Sequence, residues 1–253
     1  MTVAVSTRCT ACGACIATCP ERALRPAPRR PAVLDALCTD CLACLEVCPV
    51  DAIIPSPVHP IEAESYRILA ERVDLSAWPP GARDVVARMI HSTADESFAA
   101  TARIGDRAVE AAVTALASGA PVVCDARMVV AGIPSVAGAV CFLDQVAEAP
   151  RGDTRSAAAI RLAAERHHDG ALWVIGNAPT ALFALLDLVA AGAVRPAAVV
   201  GLPVGYVGAA DSKAALWASD LGAIAITNTG VRGGSPVAAG AVNALARLAA
   251  AQP

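Results

Sequence analysis

The sequence predicts a two-part protein: a small cysteine-rich α+β domain, then an α/β domain whose mainly parallel sheet carries helices on both faces. Three observations predict this organisation. Eight of the ten cysteines lie between Cys9 and Cys48, where they form two copies of one pattern. After residue 57, short apolar runs alternate with helical patterns. The proline-rich segment Ile54–Pro57 separates the two regions, which predicts domains at 1–57 and 58–253.

The two cysteine-rich segments read CTACGACIATCPERAL (Cys9–Leu24) and CTDCLACLEVCPVDAI (Cys38–Ile53). Each contains the pattern C-x-x-C-x-x-C-x-x-x-C-P, in which three thiolates hold one iron–sulfur cluster and the fourth reaches the other cluster. Zinc sites and disulfides are the alternatives, but neither requires the C-P ending, and disulfides belong to secreted chains. The pattern therefore predicts two 4Fe–4S clusters, one held by Cys9, Cys12, Cys15 and Cys48 and the other by Cys38, Cys41, Cys44 and Cys19.

This first region is too small to be held together by apolar burial alone, so we expect the clusters to supply much of its folding free energy. Over about residues 5–55 it resembles bacterial two-cluster ferredoxins. The resemblance implies low-potential one-electron transfer and a redox partner protein.

The second region alternates apolar runs with helical patterns, as in a parallel sheet whose strands are buried on both faces. The predicted strands are Pro121–Cys124, Val140–Leu143, Leu172–Ile175, Ala197–Leu202 and Ala223–Ile226. The predicted helices are Ile61–Val73, Gly81–Ile90, Arg107–Ser118, Arg155–His167, Thr180–Ala191, Ala209–Ser219 and Pro236–Ala250. Ligands of such sheets bind beyond the carboxyl ends of the strands.

The composition excludes several classes of protein. Although 56% of the residues are hydrophobic and the mean hydropathy is +0.53, the charge-free stretches Ala171–Leu186 and Pro196–Ala210 contain Gly, Pro or Asn. They are also shorter than the roughly 18–20 apolar residues of a membrane helix. The N-terminal residues show no signal-peptide pattern, so we expect a cytoplasmic protein that does not bind a membrane. A net charge of −3 and 3% aromatic residues predict no nucleic-acid partner.

Several segments of the second region are similar to the precorrin-8X methylmutase family, and the similarity spans nearly all of residues 60–250. They include IEAESYRI (61–68), VARMIHSTAD (86–95), GAPVVCDARMV (119–129), GDTRSAAAIRL (152–162), IGNAPTALFALL (175–186), PAAVVGLPVGYVGAADSKAAL (196–216) and GGSPVAAGAVNALAR (233–247). The resemblance implies an isomerase of corrinoid (cobalamin) biosynthesis. Such an enzyme moves a methyl group from C-11 to C-12 of precorrin-8X and gives hydrogenobyrinic acid.

The resemblance also implies a homodimer with its active site near the subunit interface, and a histidine in the R-M-[IV]-H segment that protonates the macrocycle. That histidine is His91 here. A histidine titrates near neutrality and so suits acid–base chemistry. Without the resemblance, His91 would be interpreted as a core or capping residue.

The corrinoid substrate implied by the resemblance carries many carboxylates, and helix N-termini supply N–H donors for anions. Four predicted helix starts combine small residues with a cap or a glycine. They give Arg155, Asn177, Thr180, Gly208, Gly234 and Ser235 as candidate substrate-binding residues, Arg155 being placed for a bidentate carboxylate contact. Ser65 and Asp125 complete the candidates, and Asp125 can orient either His91 or a backbone turn. Ordinary helix caps are the alternative interpretation for each one.

Two alternatives stay open for the whole chain. One is cobalt-precorrin-8 methylmutase of the oxygen-independent pathway, which the same fold and histidine would serve. The other is an electron-transfer protein whose second region only binds a corrinoid. The methyl shift is redox-neutral, so the clusters are expected either to pass electrons to a neighbouring step or to serve in docking or sensing.

Overall fold

The computed structural model describes residues 2–6, 8–27, 29–34, 37–39, 41–56, 60–149 and 151–250. The chain divides into two compact units, Met1–Ile68 and Leu69–Pro253. The predicted boundary between residues 57 and 58 lies outside the described residues, and it stays a prediction. Within the described ranges, no helix has the length and apolar character needed to cross a membrane.

The first unit has a strand at each end of the cysteine-rich region. Strand β1 (Thr2–Val5) pairs antiparallel with β4 (Ile53–Ser56). Between them lie α1 (Ala14–Thr18), β2 (Leu24–Arg25), β3 (Ala32–Val33) and α2 (Ala43–Glu46), with β2 and β3 antiparallel. The buried residues Val3, Cys15, Leu24, Cys44 and Ile53 form one cluster, so the cysteine-bearing helices share a small core with the strands.

Helix α3 (Pro60–Arg72) runs across the division between the two units. The second unit then contains α4 (Pro80–Thr93), α5 (Phe98–Thr101), β5 (Ala102–Ile104), α6 (Ala108–Ala117), β6 (Val122–Cys124), α7 (Arg127–Ala131) and β7 (Ala139–Cys141). It continues with α8 (Arg155–Ala164), β8 (Leu172–Ile175), α9 (Pro179–Ala190), β9 (Ala198–Gly201), α10 (Ala209–Ala218), β10 (Ala225–Asn228) and α11 (Ser235–Ala250).

The described residues of the second unit form one six-stranded sheet in the order β5-β10-β9-β8-β6-β7. Its strands are parallel except β5, which pairs antiparallel with β10 at the edge. All four residues of β8 are buried, which requires cover on both faces. Trp173 and Ile175 pack into a core with Leu182 and Leu185 of α9, while α11 contacts β8 and β9 as well. The predicted α/β fold is confirmed.

Strand β5 was not predicted, because three residues with a central arginine give no strand pattern of their own. It forms because Ile104 lies opposite Ile226 at the edge of the sheet. The bounds of two predicted strands, Val140–Leu143 and Ala223–Ile226, were also wrong, because the structure has strands at Ala139–Cys141 and Ala225–Asn228. Leu143–Gln145 forms a 3₁₀ turn after β7, and Asp220–Ile224 forms another before β10.

Helix α4 ends three residues later than the predicted Gly81–Ile90, so His91 lies within the helix and does not follow it. The hydroxyls of Ser92 and Thr93 donate to the main-chain oxygen of Met89, at 3.0 and 2.9 Å. These bonds let two hydroxyl side chains continue the helix. It ends at Ala94, whose φ of 53° is left-handed.

Candidate active site and metal centre

The sequence repeat of the first unit is also a repeat of backbone conformation. A residue with positive φ precedes each cysteine-bearing helix, Gly13 before α1 and Leu42 before α2. A second pair, Arg22 and Asp51, has φ of 50° and 46° three residues after the fourth cysteine of each run. Equal conformations at equal spacing place the two cysteine runs in equivalent loops.

Main-chain N–H groups point at the sulfur atoms of the last cysteine in each run. Ala23 N donates to Cys19 Sγ at 3.2 Å, and Ala52 N donates to Cys48 Sγ at 3.1 Å. The N–H groups of Val50 and Ala52 lower the pKa of Cys48 below that of an ordinary thiol. Donors aimed at sulfur stabilise a thiolate, the form that ligates iron.

Cys19 of the first run lies with the three leading cysteines of the second. Cys19, Cys38, Cys41 and Cys44 line one cavity, whose other walls include Val3, Leu24 and Val33. Burial raises the pKa of Cys44, and the charges of Cys38, Cys41 and Cys19 raise it further. In the first run, burial and the charges of Cys9 and Cys12 raise the pKa of Cys15. Four soft sulfur donors around an apolar cavity fit an iron–sulfur cluster.

No disulfide joins any two of the ten cysteines, all of which lie within the described ranges. No group of three or more His, Cys, Asp or Glu side chains among the described residues has the spacing for one metal ion. A four-iron cluster is larger than an ion and holds its sulfur ligands further apart.

In the second unit, a cleft of about 600 Å³ opens where α4 ends. Its volume is in the range of small-molecule sites. Its walls are formed by Arg72, Thr93, Ala94, Asp95, Glu96, Ser97, Phe98, Val204, Arg232 and Gly233. The segment 93–98 thus supplies one wall, and the loops after β9 and β10 supply another.

Two ion pairs lie in the walls of this cleft, Arg72 with Glu96 and Arg232 with Asp95. Burial acts to raise the pKa of Asp95, but hydrogen bonds from Ser97 and the pair with Arg232 outweigh it, so the pKa is lowered. Ser97 N lies 3.0 Å from Asp95 Oδ1. Asp95 therefore stays charged and ties the loop after β10 to the end of α4.

His91 lies in the last turn of α4, two residues before Thr93 of the cleft wall, and is partly buried. The acid–base role of His91 stays a prediction.

Asp125 follows β6 and is 1% exposed. Its Oδ1 accepts from Gly176 N at 2.8 Å, and its Oδ2 accepts from Asn177 N at 2.9 Å and Ala178 N at 2.8 Å. Burial raises the pKa of Asp125, and these three N–H groups oppose the rise. Of the two roles that the sequence left open, the geometry gives Asp125 the backbone turn between β8 and α9.

Arg155 and Thr180 belong to the starts of two neighbouring helices, α8 and α9. Thr154 caps α8 by accepting from Ala157 N at 3.1 Å, and its hydroxyl lies 2.8 Å from that of Thr180. The guanidinium of Arg155 donates to Val146 O at 2.9 Å and Leu143 O at 3.1 Å. Arg155 therefore braces the loop before α8, with two of its nitrogen atoms already occupied by carbonyls.

Ser235 begins α11 and is 4% exposed, and its hydroxyl has no hydrogen-bond partner among the described residues. Two close backbone approaches bring neighbouring loops to the start of α11. A Cβ on Gly176 would lie 3.1 Å from Ser235 Cα, and a Cβ on Gly233 would collide with the main-chain oxygens of Leu202 and Pro203. A Cβ on Gly208 would likewise lie 3.4 Å from Pro179.

The loops that carry Asn177, Gly208, Gly234 and Ser235 thus meet at the carboxyl edge of the sheet, as the fold class requires. Ser65 lies on α3, partly buried, in the first unit, and its role stays a prediction.

Comparison with known proteins identifies both regions. Residues 60–248 match the family described as precorrin-8X methylmutase, and residues 8–52 match the 4Fe–4S dicluster domain. The chain belongs to the precorrin-8X methylmutase family. It also carries an iron–sulfur domain at its N-terminal end.

Relatives within the precorrin-8X methylmutase family carry two different names. The precorrin-8X methylmutase of Pseudomonas aeruginosa is 40% identical over 196 residues, which cover 74% of this chain and 93% of that protein. The cobalt-precorrin-8 methylmutase of Methanothermobacter thermautotrophicus is 38% identical over 194 residues, covering 74% and 92%. The crystal structure of a precorrin-8X methyl mutase from Thermus thermophilus matches with a TM-score of 0.67 and 37% identity, over 75% of this chain and 95% of that one.

Sequence reasoning missed four polar residues that this methylmutase family member places at or behind the cleft: Arg72, Asp95, Lys213 and Asn228. No sequence pattern marks Arg72 or Asp95 as a site residue, because the residues with which they pair are distant in the sequence. Lys213 does give one, since it is the only lysine of a chain with 20 lysine and arginine residues. A single lysine in an arginine-based sequence indicates a position that an arginine does not fit.

Proposed function

We propose that the second unit isomerises precorrin-8X by moving its methyl group from C-11 to C-12, which gives hydrogenobyrinic acid. One observation supports this most strongly. The residues that match the methylmutase family include His91, and His91 lies on the helix whose end lines the cleft.

In this proposal the imidazolium of His91 donates a proton to the conjugated macrocycle, and the resulting electron deficiency assists migration of the methyl group. The neutral imidazole then recovers the proton from the product, so His91 acts as both acid and base. Electrons and atoms balance within the substrate, because the methyl group only changes its carbon.

In this proposal the carboxylate groups at the rim of the macrocycle supply much of the free energy of substrate binding. The guanidinium groups of Arg72 and Arg232 each pair with one carboxylate of the cleft wall and keep further N–H groups for substrate carboxylates. The start of α11 supplies main-chain N–H donors beside Ser235. The unpartnered hydroxyl of Ser235 suits a substrate oxygen. Contacts remote from the reacting carbons hold the ring in the reactive shape, which is how binding energy accelerates an isomerisation.

For the first unit we propose two 4Fe–4S clusters with the cysteine sets predicted from the repeat. The cavity lined by Cys19, Cys38, Cys41 and Cys44 supports the second set. Bound clusters supply one-electron transfer. The methyl shift consumes no electrons, so we assign the clusters to a neighbouring step of corrinoid synthesis, served through a redox partner protein. We further propose a cytoplasmic homodimer.

The decisive experiment is anaerobic turnover of precorrin-8X by the cluster-loaded full chain, followed by the absorbance change of the macrocycle. The same protein after chelation of its iron is the second arm. Turnover by both supports a methylmutase whose clusters serve another step. Absence of turnover by the cluster-loaded chain, with its fold and clusters intact, would refute the proposed reaction.

Cobalt-precorrin-8 is the second candidate substrate, because relatives that match equally long parts of this chain carry that name. It is tested in the same assay under the same conditions. The kcat/KM ratio of the two substrates decides which one the cleft accepts.

A further inference from the structure

Lys213 is the only lysine of the chain, and it is 1% exposed on α10. Fully buried lysines are rare unless paired. Its ammonium Nζ donates to Asn228 Oδ1 at 3.0 Å and to the main-chain oxygen of Arg232. Both acceptors are neutral: Asn228 is the last residue of β10, and Arg232 lies in the loop between β10 and α11.

Asn228 also holds the loop between β10 and α11, through its side-chain amide. Its Nδ2 donates to the main-chain oxygens of Thr229, at 3.0 Å, and Arg232, at 3.1 Å. The oxygen of Arg232 therefore accepts from both Lys213 and Asn228. Two buried side chains thus fix one peptide group of an exposed loop.

The side chain of Arg232 continues this chain of contacts into the cleft. Its guanidinium pairs with Asp95, which follows the end of α4. Arg232 and Asp95 both line the cleft, and His91 lies one turn earlier on α4. An unbroken series of contacts therefore runs from Lys213 through Arg232 and Asp95 to the helix end that carries His91.

Fold stability alone does not explain a buried ammonium at this position. Taking a charge out of water is costly, and replacing buried charges by apolar side chains of similar volume is often neutral or stabilising. Burial lowers the pKa of Lys213 to about 8, which is a sign of that cost. What the lysine supplies instead is a compact donor that reaches two acceptors at once, where the planar guanidinium of arginine has a different geometry.

We propose that Lys213 is a positioning residue of the methylmutase reaction: with Asn228 it fixes the peptide of Arg232, and so holds the Arg232–Asp95 pair in the cleft wall, where Asp95 follows His91 by four residues. The inference rests on the proposed function, because its test measures turnover of the substrate assigned to this cleft. Lys213 acts through Arg232 and contacts no reacting atom.

The test is a double-mutant cycle in the cluster-loaded full chain, with Lys213→Met, Arg232→Met and the double variant. Lys213→Met should lower kcat/KM by about tenfold, mainly through KM. In the Arg232→Met background the same substitution should change kcat/KM by less than about twofold, because the contact through which Lys213 acts is already lost. Additive effects would overturn the proposal, because they are the signature of a merely structural role.

A second variant covers the case in which Lys213→Met does not fold. Asn228→Asp keeps an acceptor for Lys213 but removes the amide donor to Arg232, and it should show the same loss and the same coupling to Arg232→Met. Arg107→Met, an exposed arginine before α6, is the matched control and should stay within about twofold of wild type.

The outcomes separate the two proposals. Wild-type protein without activity on either corrinoid refutes the proposed function. Active wild type, with Lys213→Met and Asn228→Asp at full activity, refutes the positioning role alone.

Discussion

The carboxylate of Asp125, at the end of β6, accepts the main-chain N–H of Asn177 at 2.9 Å, in the turn after β8. Together with the bonds from Gly176 and Ala178, this contact joins two neighbouring parallel strands at their carboxyl ends. Asp125→Asn replaces an acceptor oxygen with an N–H₂ group that faces main-chain donors. We expect a loss of about 2–3 kcal/mol in the free energy of unfolding.

Denaturant titration followed by tryptophan fluorescence measures this loss in the second unit alone, because Trp78, Trp173 and Trp217 all lie there. Asp106→Asn, at an exposed position, serves as the control. An Asp125→Asn protein as stable as wild type would contradict the role assigned to this carboxylate.

His91→Ala should lower kcat by about 10²–10⁴-fold and leave KM within a few-fold, because a general acid–base residue acts in the transition state. Initial rates with precorrin-8X at saturation measure the change. His168→Ala, an exposed histidine after α8, should retain wild-type kcat. Equal rates for both variants would remove His91 from the mechanism.

Cys19→Ala should reduce the iron content from about eight to about four atoms per chain, because Cys19 is expected to ligate the cluster of the other cysteine run. Iron analysis of anaerobically reconstituted protein measures it, with the electron paramagnetic resonance signal as a second readout. Cys124→Ala, in the buried strand β6, should leave the iron content unchanged. Unaltered iron content in Cys19→Ala would contradict the exchange of ligands between runs.

Ser235→Ala should act in opposite directions on stability and on binding. Removal of a buried hydroxyl without a partner should leave the free protein as stable as wild type or stabilise it by about 1 kcal/mol. Loss of a substrate contact should raise KM by about tenfold. Ser118→Ala, whose hydroxyl donates to Ala115 O, is the control and should leave KM unchanged. A Ser235→Ala protein with wild-type KM would remove Ser235 from the binding site.

The ammonium of Lys213 makes the stability of the second unit depend on pH. Its pKa is about 8 in the fold, below the ordinary value of 10.5, so between these two pH values the unfolded chain binds more protons. Stability must therefore rise as the pH increases through this window. Relative to Lys213→Met, the wild type should gain up to roughly 3 kcal/mol between pH 7 and pH 10.

Parallel pH profiles for these two proteins would show that the ammonium is not desolvated. Because the chain has one lysine, ε-carbon labelling of lysine gives a single side-chain resonance. Its titration midpoint measures the pKa directly, and a midpoint near 10.5 would likewise show an ammonium that remains hydrated in the fold.

The sequence by itself determined the two-part organisation, the repeated spacing of each cysteine run and the strands of the parallel sheet. These features are local. Cysteine spacing defines a ligand loop, and a buried parallel strand such as Leu172–Ile175 must be apolar along its whole length. The position of His91 near a helix end was also predictable, although the hydroxyls of Ser92 and Thr93 carry that helix further than its apolar pattern does.

Only the tertiary structure decided which polar groups meet. Asp125 lies about fifty residues before the turn that it holds, and the pairing of Arg232 with Asp95 spans more than a hundred. Strand β5 forms only because it can pair with β10 at the edge of the sheet. The proposed role of Lys213 depends on the fold, which brings Asn228 and Arg232 within hydrogen-bond distance of its ammonium group. Contacts of this kind have no sequence period, because they form between the ends of separate strands and helices once the sheet has assembled.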